Sequence, residues 1–371
     1  ELNSDVSYFT REWGDNVDDW SSHNSPSRVA RNWGEQPMLI QARHYANPTY
    51  TYTCYDALYR TPRQHVGGCL WHSFDHQRGY HPDPFYGGLM DVFRQPKYSY
   101  YMVYIAHEMT PFSSKDVTVY SNCEEVRLTF MRDGKVSTYS KPLTEAGMPS
   151  PVITFPDVYD FQMDKAMSRK KKQEDVLLLA EGLIDGKVVA THEVHPARRP
   201  EKLLLWTDNE GVNLKADGSD FVTVVAAVAD KNGNIKRLNN YYVKFHVEGE
   251  GRLLGDASIL ANPAPVKWGT APVLIQSTLK PGKIKVIASV LFEGSQMPTS
   301  AVLELESVLT EHPLLYSEKE AVLISSASAT GLGGTTVKSA AELEQERLQK
   351  EQNMQKLKEV EQQQEDFGEK K

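Results

Sequence analysis

Val6-Ser7-Tyr8-Phe9-Thr10-Arg11-Glu12-Trp13-Gly14-Asp15 is a short run of strand formers that ends in a charged, aromatic, glycine-bearing turn. The pattern returns at His65-Val66-Gly67-Gly68-Cys69-Leu70-Trp71-His72-Ser73-Phe74-Asp75, which reads as a buried strand closing on polar and aromatic residues. Helical signals lie between the two. Ser25 caps and Pro26 opens a short helix through Arg28–Asn32. A second helix starts near Glu35, tolerates Pro37 in its first turn and ends before Pro48. A third covers Thr53–Tyr59. Beyond Asp75 a polar loop runs to Pro84, and Gly88–Tyr101 leads into a last helix. Strand, helix, strand, helix, with polar residues crowded after each strand, is the grammar of a (β/α) barrel, whose chemistry sits at the C-terminal ends of its strands. A barrel needs eight such units, so residues 1–108 read as the terminal part of a (β/α)8 barrel that cannot close its own core.

From about Asp116 to Leu305 the texture changes. Short apolar, β-branched runs recur at Val117–Tyr120, Val126–Met131, Val176–Leu179, Val188–His192, Phe221–Val228, Tyr241–Val247 and Ile284–Leu291. Their alternation reads as half-buried strands. Asp133-Gly134, Asp185-Gly186 and Asn232-Gly233 supply the positive φ angles of tight hairpins. His195–Pro200 (HPARRP) reads as an extended linker, so the region divides into two β-sandwiches, 109–199 and 200–307. Residues 308–371 read as a linker and a charged helical tail. Ser325–Thr336 has linker composition, and 338–366 are helix formers with a sparse apolar stripe. The tail is either a solvated or frayed helix or a helix that binds a partner or forms a homo-oligomer. The expected architecture is multidomain, α/β followed by all-β, with a C-terminal helix.

The chain has 371 residues, with 41 Lys+Arg against 49 Asp+Glu and a net charge of −8. The pI near 5.8 argues against a partner held by phosphate contacts, so no nucleic acid is expected. Mean hydropathy is −0.49 and no apolar run reaches membrane-spanning length. Three cysteines, Cys54, Cys69 and Cys123, form neither a disulfide scaffold nor a zinc-type spacing. The first residue is Glu1 and no leader is legible. The expectation is that the start of a longer protein is missing.

Glu12 follows a strand directly and is flanked by Arg11, Trp13 and Gly14. An ionised carboxylate at a strand end, beside aromatic surface, is what a glycosidase needs as nucleophile. The bland alternative is a solvated loop residue. Arg11 would keep Glu12 ionised if both side chains shared a face, although strand neighbours alternate. Trp71 at the next strand end offers a stacking face for a pyranose, and Asp75 offers acceptors for sugar hydroxyls. Their alternatives are a packed Trp and a capping Asp. His72 and His76 are four apart but lack the Glu of the zinc-protease motif, which leaves sugar hydrogen bonding or loop structure. Asp15, Asp18 and Asp19 match no calcium-loop spacing. Arg169–Lys172 reads as a basic loop tip.

Thr10-Arg11-Glu12-Trp13-Gly14-Asp15 resembles the end of the seventh barrel strand in glycoside hydrolase family 2, the β-galactosidase family. Gly67–Asp75 resembles that family's eighth strand. Gly88-Leu89-Met90-Asp91-Val92-Phe93-Arg94-Gln95-Pro96-Lys97 with Tyr100-Tyr101 resembles the segment after it. Lys215–Asp220, Val228, Asp230, Gly233 and Gly249-Glu250-Gly251 are similar to the immunoglobulin-like C-terminal domains of bacterial members. The resemblance covers residues 1–307. It implies retaining hydrolysis of an oligo- or polysaccharide with a β-linked sugar, without an organic cofactor. Glu12 would be the nucleophile, and Arg11, Trp13, Trp71, His72 and Asp75 would line the sugar site. The setting expected for such a protein is periplasmic or secreted. Family members carry the general acid/base as an Asn-Glu pair after the fourth strand. Asn209-Glu210 lies in the sandwich region and is no substitute, so the chain alone is expected to be inactive. The rival expectation is a non-catalytic carbohydrate- or protein-binding sandwich module.

Overall fold

The computed structural model describes residues 5–13, 31, 33–46, 64–70, 73–76, 86–101, 103–132, 134–142, 151–170, 176–291 and 297–310, with the backbone alone described at 11–13, 43–46, 135, 142 and 170. The expected helix at 25–32 except Arg31, the expected helix at 53–59, the side chains of Arg11, Glu12 and Trp13, residues Trp71 and His72, and the tail beyond 310 lie outside the described residues.

The first described unit is a β–α–β arrangement. β1 (Tyr8–Trp13) and β2 (His65–Leu70) pair in parallel, and α1 (Glu35–Ala46) lies between them in sequence. Pro37 sits in the first turn of α1, where its missing N–H costs nothing. The described residues contain no closed barrel. β2 is a strand but not a buried one: Val66 is 64% and Phe9 of β1 59% exposed. Among the described residues no further strand pairs with this ribbon to cover its faces. The segment Gly88–Tyr101 does not lead into the expected helix among the described residues. It runs as an irregular loop to a single 3-10 turn at Tyr98–Tyr100. β3 (Val103–Ile105) follows and pairs with β4 (Val117–Ser121), so sheet pairing captures the aromatic, β-branched end of this segment.

β5 (Glu125–Arg132), β6 (Lys135–Pro142), β7 (Val152–Phe155), β8 (Leu177–Ile184) and β9 (Lys187–Val194) complete the next layer pair. The sheets have strand orders β3-β4-β7 and β6-β5-β8-β9. Val117, Val119, Ile153 and Phe155 from one sheet meet Val126, Leu128, Leu178 and Ala180 from the other in a single core. Asp185 and Gly186 close the β8–β9 hairpin at φ of 50° and 70°, which is why an Asp-Gly pair occupies the turn. The basic run at 169–172 is not simply a loop tip. α2 (Phe161–Lys170) runs into it, started by Asp160, whose Oδ1 accepts from the N–H groups of Gln162 (2.9 Å) and Met163 (3.1 Å). Arg169 in that helix's last turn complements its dipole, and residues 171–172 lie outside the described residues.

The last layer pair comprises β10 (Lys202–Thr207), β11 (Leu214–Lys215), β12 (Phe221–Ala229), β13 (Tyr242–Gly249), β14 (Gly251–Leu253), β15 (Ala264–Pro265), β16 (Thr270–Ser277), β17 (Gly282–Leu291) and β18 (Ala301–Val308). Their order is β10-β12-β16-β14 in one sheet and β11-β18-β17-β13-β15 in the other. β17 buries Ile284, Val286, Ala288 and Val290 at every second position against Val222, Val224, Ala226 and Val228 of β12. That period-two burial makes the pair a sandwich.

Candidate functional site

The parallel pairing of β1 with β2 decides what stands together. Tyr8 is opposite His65, Thr10 opposite Gly68 and Trp13 opposite Leu70. Both strands therefore end at the same edge. The backbone of Glu12 lies beside the last residues of β2, just before Trp71 and His72. The Thr10 hydroxyl and the His65 ring, 2.8 Å apart, tie the strands together.

The chain after β2 is fastened from behind. Phe74 bridges Met90, with the Asp75 N–H donating to the Met90 carbonyl and the Met90 N–H to the Ser73 carbonyl, both at 3.0 Å. The Asp75 side chain turns into the interior. Lys97 Nζ donates to its Oδ1 at 2.7 Å and to the Tyr86 carbonyl at 2.9 Å, and the Gly88 N–H donates to Oδ1 at 3.0 Å. The Asp75 and Lys97 side chains are 0% and 1% exposed. Burial pushes the Asp75 carboxyl up to about 6, against the pull of the Lys97 ammonium. Its Oδ2 is buried without a partner. Gly88 is required here, because a Cβ would fall 2.3 Å from the Asp75 nitrogen and 2.5 Å from the Met90 oxygen. Gln41 of α1 donates to the Gly88 carbonyl at 3.1 Å, joining helix and loop.

Asp91 organises the next turn. Its Oδ1 accepts from the N–H groups of Phe93 (2.9 Å) and Gln95 (2.8 Å), and its Oδ2 pairs with Arg31 Nε. His76 is partly exposed with its ring 3.3 Å from the Phe74 carbonyl. No cluster of three metal-ligating side chains occurs among the described residues, and no described helix is long and apolar enough to cross a membrane. Cys69 and Cys123 are free.

The structure thus brings the backbone of Arg11, Glu12 and Trp13 to one edge with the end of β2. It places Asp75 behind that edge in a buried ion pair, within the chain that continues from Trp71 and His72. Sequence reasoning passed over Lys97, Asp91 and Arg31. Of the three only Asp91 carries a local signal, a charged residue set among apolar neighbours in Leu89-Met90-Asp91-Val92-Phe93.

Glu35, in the first turn of α1, was also missed as a titrating group. Burial, together with nearby Glu108, pushes its carboxyl up to about 7, opposed by the Ser113 hydroxyl, which donates at 2.6 Å, and by Arg237. Above pH 7 folding must bury this carboxylate. As pH falls from about 7 towards 4.5 the folded chain takes up a proton that the unfolded chain has not yet bound, so stability rises. Asp75 acts in the same direction between about 6 and 3.8. Urea unfolding at pH 8 and pH 5 checks this. The native chain should gain about 2–3 kcal/mol more than Glu35→Gln on acidification. Equal gains would show that Glu35 does not titrate in this window.

Residues 207–291 match the model of the glycoside hydrolase family 2 C-terminal domain 5. A β-galactosidase of Thermoanaerobacter pseudethanolicus is 32% identical over 295 residues, which is 72% of this chain and 36% of that protein. The β-galactosidase BoGH2A of Bacteroides ovatus is 33% identical over 114 residues, 28% of this chain and 13% of its own length. The chain therefore spans a minor part of the curated relatives it matches. A solved β-glucuronidase from glycoside hydrolase family 2 superposes with a TM-score of 0.53 at 21% identity, over 82% of this chain and 31% of that one, a likeness of fold.

Proposed function

Because this chain belongs to the carboxy-terminal portion of glycoside hydrolase family 2, we propose that it supplies the nucleophile half of a retaining β-galactosidase site. Residues 1–108 are then the terminal strands and helices of a (β/α)8 barrel, and 109–199 and 200–307 are immunoglobulin-like sandwiches. The observation that carries the reading is the register of β1 on β2, which sets Glu12 at the C-terminal edge of a parallel pair, where barrel enzymes hold their chemistry. The 32% identity to a β-galactosidase supports galactose as the sugar.

In this mechanism Glu12 attacks the anomeric carbon as a second carboxyl group protonates the departing oxygen. A covalent glycosyl-enzyme forms. Water, activated by the same second carboxylate, then releases the sugar with its configuration retained. The second group belongs about 5–5.5 Å from Glu12. Asp75 does not fill that role, because its carboxyl is enclosed with Lys97. We assign the acid/base to the part of the full-length protein outside this sequence. Trp71 and His72 face the sugar in this reading, with Arg11 and Trp13 beside the nucleophile. Asp75 serves from behind by holding the loop that follows them.

The test is stereochemical. The full-length protein carrying this sequence should cleave an aryl β-galactoside and release β-galactose first, as read by proton NMR, while the present chain alone gives no turnover. Initial release of α-galactose, or turnover by the chain alone, would contradict the proposal.

A further inference from the structure

We infer that Arg31 is a positioning residue for this site and that through it the second sandwich becomes part of the site's frame, an inference that rests on the role proposed for Glu12. Arg31 is 4% exposed and lies just ahead of α1, in the connection from β1 to β2. Its guanidinium joins three stretches of chain. Nε pairs with Asp91, 60 residues away, and Nη1 donates to Thr270 Oγ1 at 3.1 Å and to the Thr270 carbonyl at 3.4 Å, 239 residues away. In return, Lys267 Nζ donates to the Arg31 carbonyl. The guanidinium carbon rests 4.5 Å from the centre of the Trp33 ring.

The Asp91 contact leads towards the site, and the Thr270 contact leads into the second sandwich. Asp91 follows Met90, which bridges Phe74, and Phe74 lies two residues beyond His72. Thr270 opens β16, whose neighbours Ala271 and Val273 are rooted in the core of the second sandwich. A guanidinium is a rigid planar fork, so it fixes the direction as well as the distance between the groups it joins. Arg31, just ahead of α1, and the Met90–Asp91 stretch that bridges Phe74 are thereby held in one register against the second sandwich. Two further ion pairs reinforce this junction: Arg94 with Asp208 at 2.5 Å, and Arg237 with Glu108 at 2.8 Å. The charge of Arg31 is already paired with Asp91, so its contribution to the reaction is geometric.

The experiment uses the full-length protein. Arg31→Lys keeps a cation but loses the fork. Thr270→Val keeps the shape but loses the hydroxyl acceptor. Displacements near 1 Å cost about 100-fold in rate, so kcat for an aryl β-galactoside should fall about 10- to 100-fold in R31K and about 2- to 5-fold in T270V. KM should stay within about threefold in both variants, because the sugar-facing groups are untouched. Circular dichroism reports whether each variant folds. If R31K fails to fold, T270V, which leaves every charge in place, carries the comparison. Native kcat in the folded variants, with Glu12→Gln inactive, overturns the role of Arg31 and leaves Glu12 standing. Full turnover in Glu12→Gln overturns both.

Discussion

Glu12→Gln in the full-length protein is expected to lower kcat by about 10,000-fold or more, the size of loss seen when a group of a covalent catalytic unit is removed. That corresponds to about 5–6 kcal/mol of transition-state stabilisation. An amide has nearly the shape of a carboxylate but cannot form the glycosyl-enzyme ester. The strand, and the β1–β2 register with it, should survive the change. Rates on an aryl β-galactoside check the effect, and thermal unfolding checks that the fold persists. A variant that keeps more than a tenth of the activity would remove Glu12 from the reaction.

The second large effect concerns stability. Lys97→Met leaves the Asp75 carboxylate enclosed with the Gly88 N–H as its remaining donor, so the chain should lose about 3–5 kcal/mol at pH 8. The deficit should shrink as pH is lowered. Asp75 already titrates near 6 in the folded chain, above its ordinary 3.8. Without the ammonium its folded carboxyl rises further, and the folded state relieves the buried charge by binding a proton. The double change Asp75→Asn with Lys97→Met should recover part of the loss, because neither buried partner is then charged. Urea titrations of the three chains at pH 8 and pH 5 measure this. A Lys97→Met variant within about 0.5 kcal/mol of the native chain, the range of ordinary surface changes, would mean the pair carries no structural weight.

Much of the strand framework is legible in the sequence for a local reason. Period-two burial in β17 and the Asp185-Gly186 turn are written in consecutive residues, and the fold has only to obey them. The misreadings have non-local causes. A helix is expected where Gly88–Tyr101 leads, yet Val103–Ile105 is drawn there into pairing with β4, and only a 3-10 turn precedes it. The basic run at 169–172 looks like a loop until Asp160, nine residues before Arg169, is seen to cap a helix that extends into it. At the site, Glu12 stands out because a carboxylate closes a run of strand formers and is followed by an aromatic residue and glycine. Lys97 and Arg31 do not stand out, because their partners are 22 and 60 residues distant and no periodic pattern links them. Asp75 is legible as important but not in its orientation. Lys97 and Gly88 turn it inward, and neither signals that from the sequence alone.

The central claim is that Glu12 forms a bond to the sugar. A 2-deoxy-2-fluoro-β-galactosyl fluoride tests it most directly, because the ring fluorine slows release of the glycosyl-enzyme by destabilising the oxocarbenium-like transition state. After incubation with the full-length protein and proteolysis, mass spectrometry should find one fluorosugar, esterified to Glu12. A label on any other residue, or an active enzyme that acquires none, would contradict the account.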